Sequence, residues 1–470
     1  MSLRRALLAA GHRGFGLKAS SAKIRALRRP HELYDTLLHT IQSAQHRVSL
    51  AALYLGTGEH ERRLISALEH AMATKPQLEV QVVVDGRRAR RRNKEGRSTL
   101  SMVEPLVRRF PDRFRMGLVT MPAAARAAQL PAPLDEVAGV FHLKAFVADD
   151  EVMISGANLS TDYFVDRQDR CICLSHPPVA GFYHDLLTTM RGGCRGNSEH
   201  HAGGSSSSSN SRGHSSDDVI SDAVAQPHWK APLMDMLRQT GRLDARGLSG
   251  GEAKDEERGK VEGDADGDVD TWIFPTLQCA PIGVEQDHQI TRLVLQHCPP
   301  NAQVRLASAY FNPPEALASD LARCAGTHLR LLTAHTSSHG FQHARGLMAA
   351  VPSCYDLLTQ RFTLWLRSQR KVGTHWAFAF YRRQNWTFHA KGLWLFGLGS
   401  IPHRFTELDM DVQFTLNRDD PNAEERALTI VGSSNFGMRS TQRDLESQLV
   451  RVPTHPLSPL STFLRPELDV

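Results

Sequence analysis

The sequence predicts an α/β chain built from two fused, similar domains, and three observations carry that expectation. First, "VSLAALYL" (Val48 to Leu55) and "VRLASAYF" (Val304 to Phe311) are apolar, β-rich runs that both end in Tyr plus an apolar residue. Second, each run precedes a helix-like segment and another strand-like run, "LEVQVVVD" in the first half and "LRLLTAH" in the second. Third, each half later carries an H-x-K, in "FHLK" (Phe141 to Lys144) and "FHAK" (Phe388 to Lys391). A small-residue turn with Asn follows each, "SGANLS" (Ser155 to Ser160) and "GSSNFG" (Gly432 to Gly437). A length of 470 residues allows two such domains with cores of their own.

Along the chain, the first acid is Glu32. Before it stand Arg4, Arg5, Arg13, Lys18, Lys23, Arg25, Arg28 and Arg29, with an apolar face at Leu3, Ala6, Leu7 and Leu8. Residues 1–30 therefore read as a disordered mitochondrial presequence, with a plain basic N-terminus as the alternative. Residues 31–191 form the first domain. Residues 192–270 read as a low-complexity, mostly disordered linker. They contain "GGSSSSSNSRGHSSDD" and "GGEAKDEERGKVEGDADGDVD", which hold too little apolar surface to offset their ordering entropy. A short helix is expected between them in "HWKAPLMDMLRQT", and residues 271–470 form the second domain.

Bulk composition narrows the function classes. Hydrophobic content of 41% and charged content of 23% are ordinary for a soluble domain. The net charge of +6 suits an anionic partner, whether nucleic acid, a phosphorylated metabolite or an anionic membrane surface. The seven cysteines include no CxxC pair, which argues against a zinc site or a disulfide framework. No apolar run reaches the roughly 20 residues of a membrane-spanning helix. Any membrane role would be at the surface.

The repeated H-x-K carries the chemistry. In a strand, His142 and Lys144 share a face, as do His389 and Lys391. One copy alone fits a surface strand with two exposed bases. Two copies in matching contexts point to a composite site. A neutral imidazole can attack phosphorus, and a second, protonated one can hand its proton to a leaving oxygen. Two histidines near neutral pKa do both jobs. Lys144 and Lys391 can neutralise non-bridging oxygens, and Asn158 and Asn435 can donate further hydrogen bonds. Asp169 and Glu446 each lie eleven residues after the Asn of their half and are candidates to fix the histidine tautomers. The scheme needs no metal.

This arrangement resembles the phospholipase D superfamily, whose motif is H-x-K-x4-D followed by a G-S-x-N-like turn. His142, Lys144 and Asp149 match it, with Ser155-Gly156-Ala157-Asn158 after them. In the second copy Phe396 stands where the acid is expected. The resemblance implies two α-β-α sandwich domains related by a pseudo-two-fold axis, with one active site between them. A narrower resemblance, to the eukaryotic phosphatidylglycerophosphate synthases, lies in "SLAALYLGTGEHE", "SGANLSTDYFVDRQDR", "WTFHAKGLWLF" and "VGSSNFGMRSTQRDLESQL". It implies transfer of phosphatidyl from CDP-diacylglycerol to sn-glycerol 3-phosphate through a phosphatidyl-histidine, with release of CMP, on the matrix side of the inner mitochondrial membrane. His142 is the expected nucleophile because its motif is complete, though the two histidines can exchange roles. No cofactor is required, and stimulation by divalent cations is compatible.

Other features leave alternatives open. Arg87 and Arg88, in "DGRRARRRNKEGR", suit phosphate or anionic lipid, or a solvated loop. Gly56 and Gly58 suit nucleotide recognition or a turn before a helix. Arg167 and Arg170 suit ion pairing or substrate phosphate. Trp394 suits the core or a lipid interface. Competing functions are a phosphodiesterase or nuclease of the same superfamily, a serine-accepting transferase and a non-catalytic lipid binder. The family-specific strings argue against nucleic acid as a partner.

Overall fold

Runs such as residues 48–52 and 80–85 are buried along their whole length, which places them centrally in sheets covered on both faces. The computed structural model describes residues 16–126, 138–192, 219–236, 270–298, 302–324, 328–369, 375–396 and 428–453. Strands are numbered in chain order: β1 (Leu17–Ala19), β2 (Ile24–Leu27), β3 (Arg47–Ala52), β4 (Glu79–Asp85), β5 (Phe114–Thr120), β6 (Ala145–Ala148), β7 (Glu151–Ser155), β8 (Arg167–Gln168), β9 (Cys171–Ser175) and β10 (Ile220–Val224). The second half continues with β11 (Thr271–Cys279), β12 (Val284–Glu285), β13 (Gln303–Ser308), β14 (His328–Ala334), β15 (His375–Tyr381), β16 (Thr387–Phe388), β17 (Lys391–Phe396), β18 (Leu428–Gly432) and β19 (Glu446–Pro453).

The two large sheets repeat one topology. The first runs β10-β5-β4-β3-β6-β7-β9-β2. The second runs β1-β11-β19-β18-β17-β13-β14-β15, with β12 beside β11. Reading outward from β3 and from β13, β4 and β5 match β14 and β15, and β6, β7, β9 and β2 match β17, β18, β19 and β11, while β10 and β1 have no counterpart in the other sheet among the described residues. β3, β4 and β5 are parallel, as are β13, β14 and β15, whereas β6 and β17, the strands each H-x-K leads into, pair antiparallel to β3 and β13. This bears out the two fused α/β domains. The helices α1 (Pro30–Ser43), α2 (Glu59–Thr74) and α4 (Thr99–Arg109) bury Leu37, Leu68 and Val103 in one core with the first sheet. Between α2 and α4 lies the short α3 (Gly86–Arg90). α7 (Pro177–Gly192) covers the other face. Its Phe182, Leu186 and Met190 share a core with Ile273, Leu449 and Val450 of the second sheet. The Tyr183 hydroxyl lies 3.0 Å from Ser447 Oγ across that contact. Between α5 (Pro122–Arg126) and α7 lies the single-turn α6 (Thr161–Val165). In the second half α8 (Gln286–Gln296) adds Ile290 and Val294 to the same core, and α9 (Glu315–Arg323) adds Leu317 and Leu321.

Two expectations of disorder need correction. Residues 1–15 lie outside the described residues, but β1 and β2 are ordered within the segment read as presequence. β1 pairs with β11 of the second sheet and β2 with β9 of the first, and Leu17, Ala19, Ile24 and Leu27 are buried. The basic residues between them obscured an alternation of apolar positions that fits an edge strand. Within 192–270, β10 adds a parallel strand beside β5, and residues 230–236 form the short helix expected there. Trp229 and Leu233 are buried in the shared core. Residues 193–218 and 237–269 of that segment lie outside the described residues. Among the described residues no helix is long and apolar enough to cross a membrane.

Deleting residues 1–27 removes an edge strand from each sheet. Losing three large buried aliphatic side chains at about 2 kcal/mol each should lower the melting temperature by roughly 10 °C relative to the full chain, measured by calorimetry. An unchanged melt would mean that β1 and β2 add no stability.

Candidate active site

The strand expected to hold each H-x-K starts later: His142 and Lys144 precede β6, and His389 precedes β17, which Lys391 opens, because the backbone of these segments crosses to bond with the other half. The His142 N–H donates to the Leu445 carbonyl at 2.9 Å, and the Leu445 N–H donates to Val140 O at 3.0 Å. In the mirror position the His389 N–H donates to Gln168 O at 2.8 Å, where β16 and β8 pair in parallel. Each histidine is thus stitched to the residue just before the other half's acid.

That stitching creates crossed pairs. His142 Nδ1 lies 2.9 Å from Glu446 Oε2, and His389 Nδ1 lies 2.7 Å from Asp169 Oδ2. Both histidines and both acids are almost fully buried. With Nδ1–H donating to a carboxylate, each Nε2 keeps its lone pair for chemistry. Ser433 Oγ and Ser440 also hold Glu446. Asp169 lies against Gly156, where a Cβ would come within 2.7 Å of Oδ1, so the glycine makes room for the acid. The tautomer-fixing role expected for Asp169 and Glu446 therefore has its geometry, with each acid serving the opposite half.

The lysines sit deep. Lys144 Nζ donates to His142 O at 2.5 Å. Lys391 Nζ lies 2.6 Å from His389 Nδ1 and 3.9 Å from Asp169. Burial pushes Lys144 down to about 7 and Lys391 down to about 8, with Glu446 and Asp169 respectively resisting the shift. Burial, with Lys144 and Lys391 adding, holds His142 and His389 well below the ordinary imidazole range. Burial pushes Asp169 up to about 6 against Lys391. The pair of histidines near neutral pKa expected from sequence is therefore replaced by two neutral imidazoles in the free site. The two are not equivalent: the Tyr163 hydroxyl lies 3.4 Å from His389 Nε2, and the Tyr163 ring meets the imidazole edge-on at 5.0 Å.

Several expected site residues do other work. Asp149 is not at the site. It occupies the two-residue hairpin between β6 and β7 at φ 49°, and its carboxylate accepts the N–H groups of Gln45, His46 and Arg47 at 2.7, 2.9 and 3.0 Å. It fixes the entry to β3. This explains why Phe396 can stand at the matching position. In the second half β17 and β18 are joined by residues 397–427, which lie outside the described residues, and Phe396 ends β17 beneath the Arg305 guanidinium at 4.7 Å. The Asn158 amide is engaged by the scaffold. Its Oδ1 accepts the Leu53 N–H at 3.2 Å and its Nδ2 donates to the Tyr163 hydroxyl at 3.1 Å. Asn435 Oδ1 is buried with no hydrogen-bond partner among the described residues.

Gly56 and Gly58 wrap the buried Glu61 carboxylate, which accepts the Thr161 N–H at 2.5 Å and the Thr161 hydroxyl at 2.9 Å. The Glu61 side chain fills that turn, which leads directly into α2. Arg167 reaches the site from β8. Its Nε donates to Thr387 Oγ1 at 2.9 Å, and its guanidinium lies 4.7 Å from the Tyr163 ring centroid. Arg170 is half-buried, and desolvation lowers it to about 10. Trp394 is half-buried against the core, with Gly392 making room for its ring. In the basic segment only part turns inward. Arg88 stacks on Tyr54 at 4.3 Å, Arg87 Nη1 donates to Ala124 O at 3.1 Å, and Arg90 is paired to Asp222 at 2.6 Å.

Three residues that bear on the site were not singled out by the sequence. Asp85 caps α3 and also accepts the Phe141 N–H at 3.0 Å, tying the arginines of α3 to the segment that carries His142. Asp444 is buried, accepts the Val140 N–H at 3.0 Å and the Arg439 Nε–H at 2.9 Å, and so brings Arg439 close to His142. The "RDLE" string contains Asp444, but its partner at Val140 is 304 residues away. His142, Asp444 and Glu446 each offer a ligand atom within 4.8 Å of the others. Their oxygens already hold Arg439, Val140, Ser433 and His142, so a cation would have to displace protein partners.

The family described as "Cardiolipin synthase, PLD-like domain" matches residues 37–190. The mitochondrial CDP-diacylglycerol–glycerol-3-phosphate 3-phosphatidyltransferase of Gallus gallus is 30% identical over 93% of this chain and 75% of its own length. The Homo sapiens enzyme of that name is 30% identical over 92% of this chain and 74% of its own length. The Schizosaccharomyces pombe enzyme is 28% identical over 90% of this chain and 83% of its own length. A crystal structure of phosphatidylserine synthase from Haemophilus influenzae superposes with a TM-score of 0.63 at 18% identity, covering 97% of this chain and 87% of that one, which establishes the shared fold.

Glu446→Gln and Asp169→Asn keep the shape of each pair but lose the carboxylate charge. Each should lower kcat by about 10²–10⁴-fold in steady-state assays while KM moves only a few-fold. Asp149→Ala should instead cost about 1–3 kcal/mol of stability by denaturant unfolding and leave kcat within about threefold.

Proposed function

The chain belongs to the CDP-diacylglycerol–glycerol-3-phosphate 3-phosphatidyltransferases of the phospholipase D superfamily, and from that premise we propose how its two half-sites divide the work. The reaction moves phosphatidyl from CDP-diacylglycerol to glycerol 3-phosphate and releases CMP, the first step toward phosphatidylglycerol and cardiolipin. The observation that carries the division is the crossed pairing of His142 with Glu446 and of His389 with Asp169.

His142 is the nucleophile. Its Nε2 attacks the phosphorus that bears diacylglycerol, the P–O bond to CMP breaks, and a phosphatidyl-histidine remains. A phosphate monoester such as CMP leaves with little need of a proton, which suits a site whose second histidine is neutral. His389 then acts as base. Its Nε2 takes the proton of an acceptor hydroxyl, that oxygen attacks phosphorus, and the P–N bond breaks to restore His142. The Tyr163 hydroxyl beside His389 Nε2 steers this imidazole. Lys144, Lys391, Arg167 and Arg439 supply positive charge for the phosphoryl oxygens, and Arg88 stands nearby on Tyr54. An anionic phosphoryl group raises both lysines toward their charged form, so the site acquires full charge only when loaded. Burial keeps bulk water from the intermediate, which favours transfer over hydrolysis.

The relatives named above from Gallus gallus and Homo sapiens are mitochondrial. The reading for this chain is a peripheral enzyme on the matrix side of the inner mitochondrial membrane. No cofactor enters the mechanism, and divalent cations would act on the substrate's diphosphate.

CMP release from CDP-diacylglycerol by the full chain should require glycerol 3-phosphate and yield phosphatidylglycerophosphate, and His142→Ala should abolish it. Serine in place of glycerol 3-phosphate should not substitute. Release without an acceptor would make the protein a hydrolase. The pH profile of kcat/KM should be bell-shaped. The acid limb lies near 6, where Asp169 protonates and loses its hold on His389, and the basic limb lies near 7 to 8, where Lys144 and Lys391 lose charge. The basic limb of kcat should sit higher, because bound phosphate holds the lysines protonated.

A further inference from the structure

The helix α10 (Val351–Gln369) and the 3₁₀ turn before it (Gly346–Ala350) carry the three most exposed large apolar side chains among the described residues. Leu347 is 87% exposed, Leu357 63% and Leu364 64%. At 3.6 residues per turn, Cys354, Leu357, Arg361 and Leu364 fall on one stripe. The opposite stripe, Thr359, Phe362 and Leu366, is buried, and the Phe362 ring meets Phe311 edge-on at 5.0 Å. The helix therefore spends its inner face on the core and leaves a second apolar stripe bare.

Charge accompanies the bare stripe. Arg361 is exposed on it, Arg345 is exposed just before the 3₁₀ turn, and Arg367 is exposed at its flank with its guanidinium 5.6 Å from the Trp376 ring centroid. Asp356 is the sole acid from His343 to Gln369, and it is half-buried with Gln360 on its carboxylate. Bare leucines interleaved with long basic side chains suit an anionic lipid surface: the aliphatic stems lie along hydrocarbon while the guanidinium heads reach phosphates. The helix is also continuous with the site. The Tyr355 ring, in the second turn of α10, lies 5.4 Å from Tyr310, whose ring lies 5.8 Å from that of His389.

We propose that the Leu347–Leu357–Leu364 face of α10 docks on an anionic bilayer and holds the site over the leaflet that contains the lipid substrate. This rests on the phosphatidyltransfer reading above, since a substrate anchored by two acyl chains must be met at the membrane surface.

The test uses the full chain and vesicles of phosphatidylcholine, alone or mixed with phosphatidylglycerol. Combining Leu347→Ser, Leu357→Ser and Leu364→Ser should weaken flotation with the mixed vesicles about tenfold or more. Turnover of vesicle-borne CDP-diacylglycerol should fall in step, while turnover of a short-chain, water-dispersed CDP-diacylglycerol should stay at the wild-type level. Arg361→Gln with Arg367→Gln should weaken binding to the mixed vesicles and leave the weak binding to phosphatidylcholine unchanged. Leu364→Trp, which keeps the face apolar, should show blue-shifted emission with vesicles and quenching by brominated acyl chains. Unchanged flotation of the triple variant, or indole emission from the Leu364→Trp variant that is blind to brominated lipid, overturns the docking face. So does a wild-type dimer that the triple variant converts to monomer without vesicles, because the occupant is then a second copy. Wild-type protein that binds vesicles but turns over neither substrate leaves docking standing and overturns the transfer reading instead.

Discussion

His142 bonds to Glu446 and His389 bonds to Asp169, so each imidazole is oriented by a carboxylate that arrives from the other half of the chain. Most of the architecture follows from making those two contacts at once. The backbone ahead of each H-x-K must run beside the opposite acid, which it does through His142 to Leu445 and His389 to Gln168. The two sheets must then be held at one fixed separation. α7 does this with its row of large apolar side chains, and Tyr183 and Ser447 add a polar tie across the same contact. Neither half can orient its own histidine.

Dryness is the second constraint. Two lysines, two histidines and three carboxylates share a buried volume, and isolated charges there would be costly. The site lowers that cost by letting groups move toward neutrality. The imidazoles are held neutral and the lysines drop to about 7 and 8. In the mechanism proposed above, a phosphoryl anion gives the lysines a partner, so that binding and charging are coupled. The same burial removed the simple picture of one acid and one base titrating near neutrality.

Much of this was legible from the residues. The repeat was visible because matching strands need matching apolar runs, and seven strands of each sheet follow that repeat, with β10 and β1 added at opposite edges. Asp169 and Glu446 were found by their equal offset from Asn158 and Asn435, a distance the fold keeps because each turn must deliver its acid to the same depth. Asp149 misled because a motif position does not say where a side chain points. In a tight hairpin its carboxylate faces the backbone of residues 45–47 rather than the histidines. Of the two readings of Gly56 and Gly58, the turn before a helix is the one the fold contains, with the Glu61 side chain folded into it.

The sequence by itself determined the α/β class, the duplication, the paired H-x-K motifs and the two acids that contact their histidines, because local periodicity and equal spacing are properties of the chain alone. Only the tertiary structure decided which acid serves which histidine, that residues 17–27 and 220–224 belong to the sheets, and that Asp85, Asp444 and Arg439 support the site. Those are contacts between segments far apart in sequence. Their partners are chosen by how two sheets pack, and no local pattern records that choice.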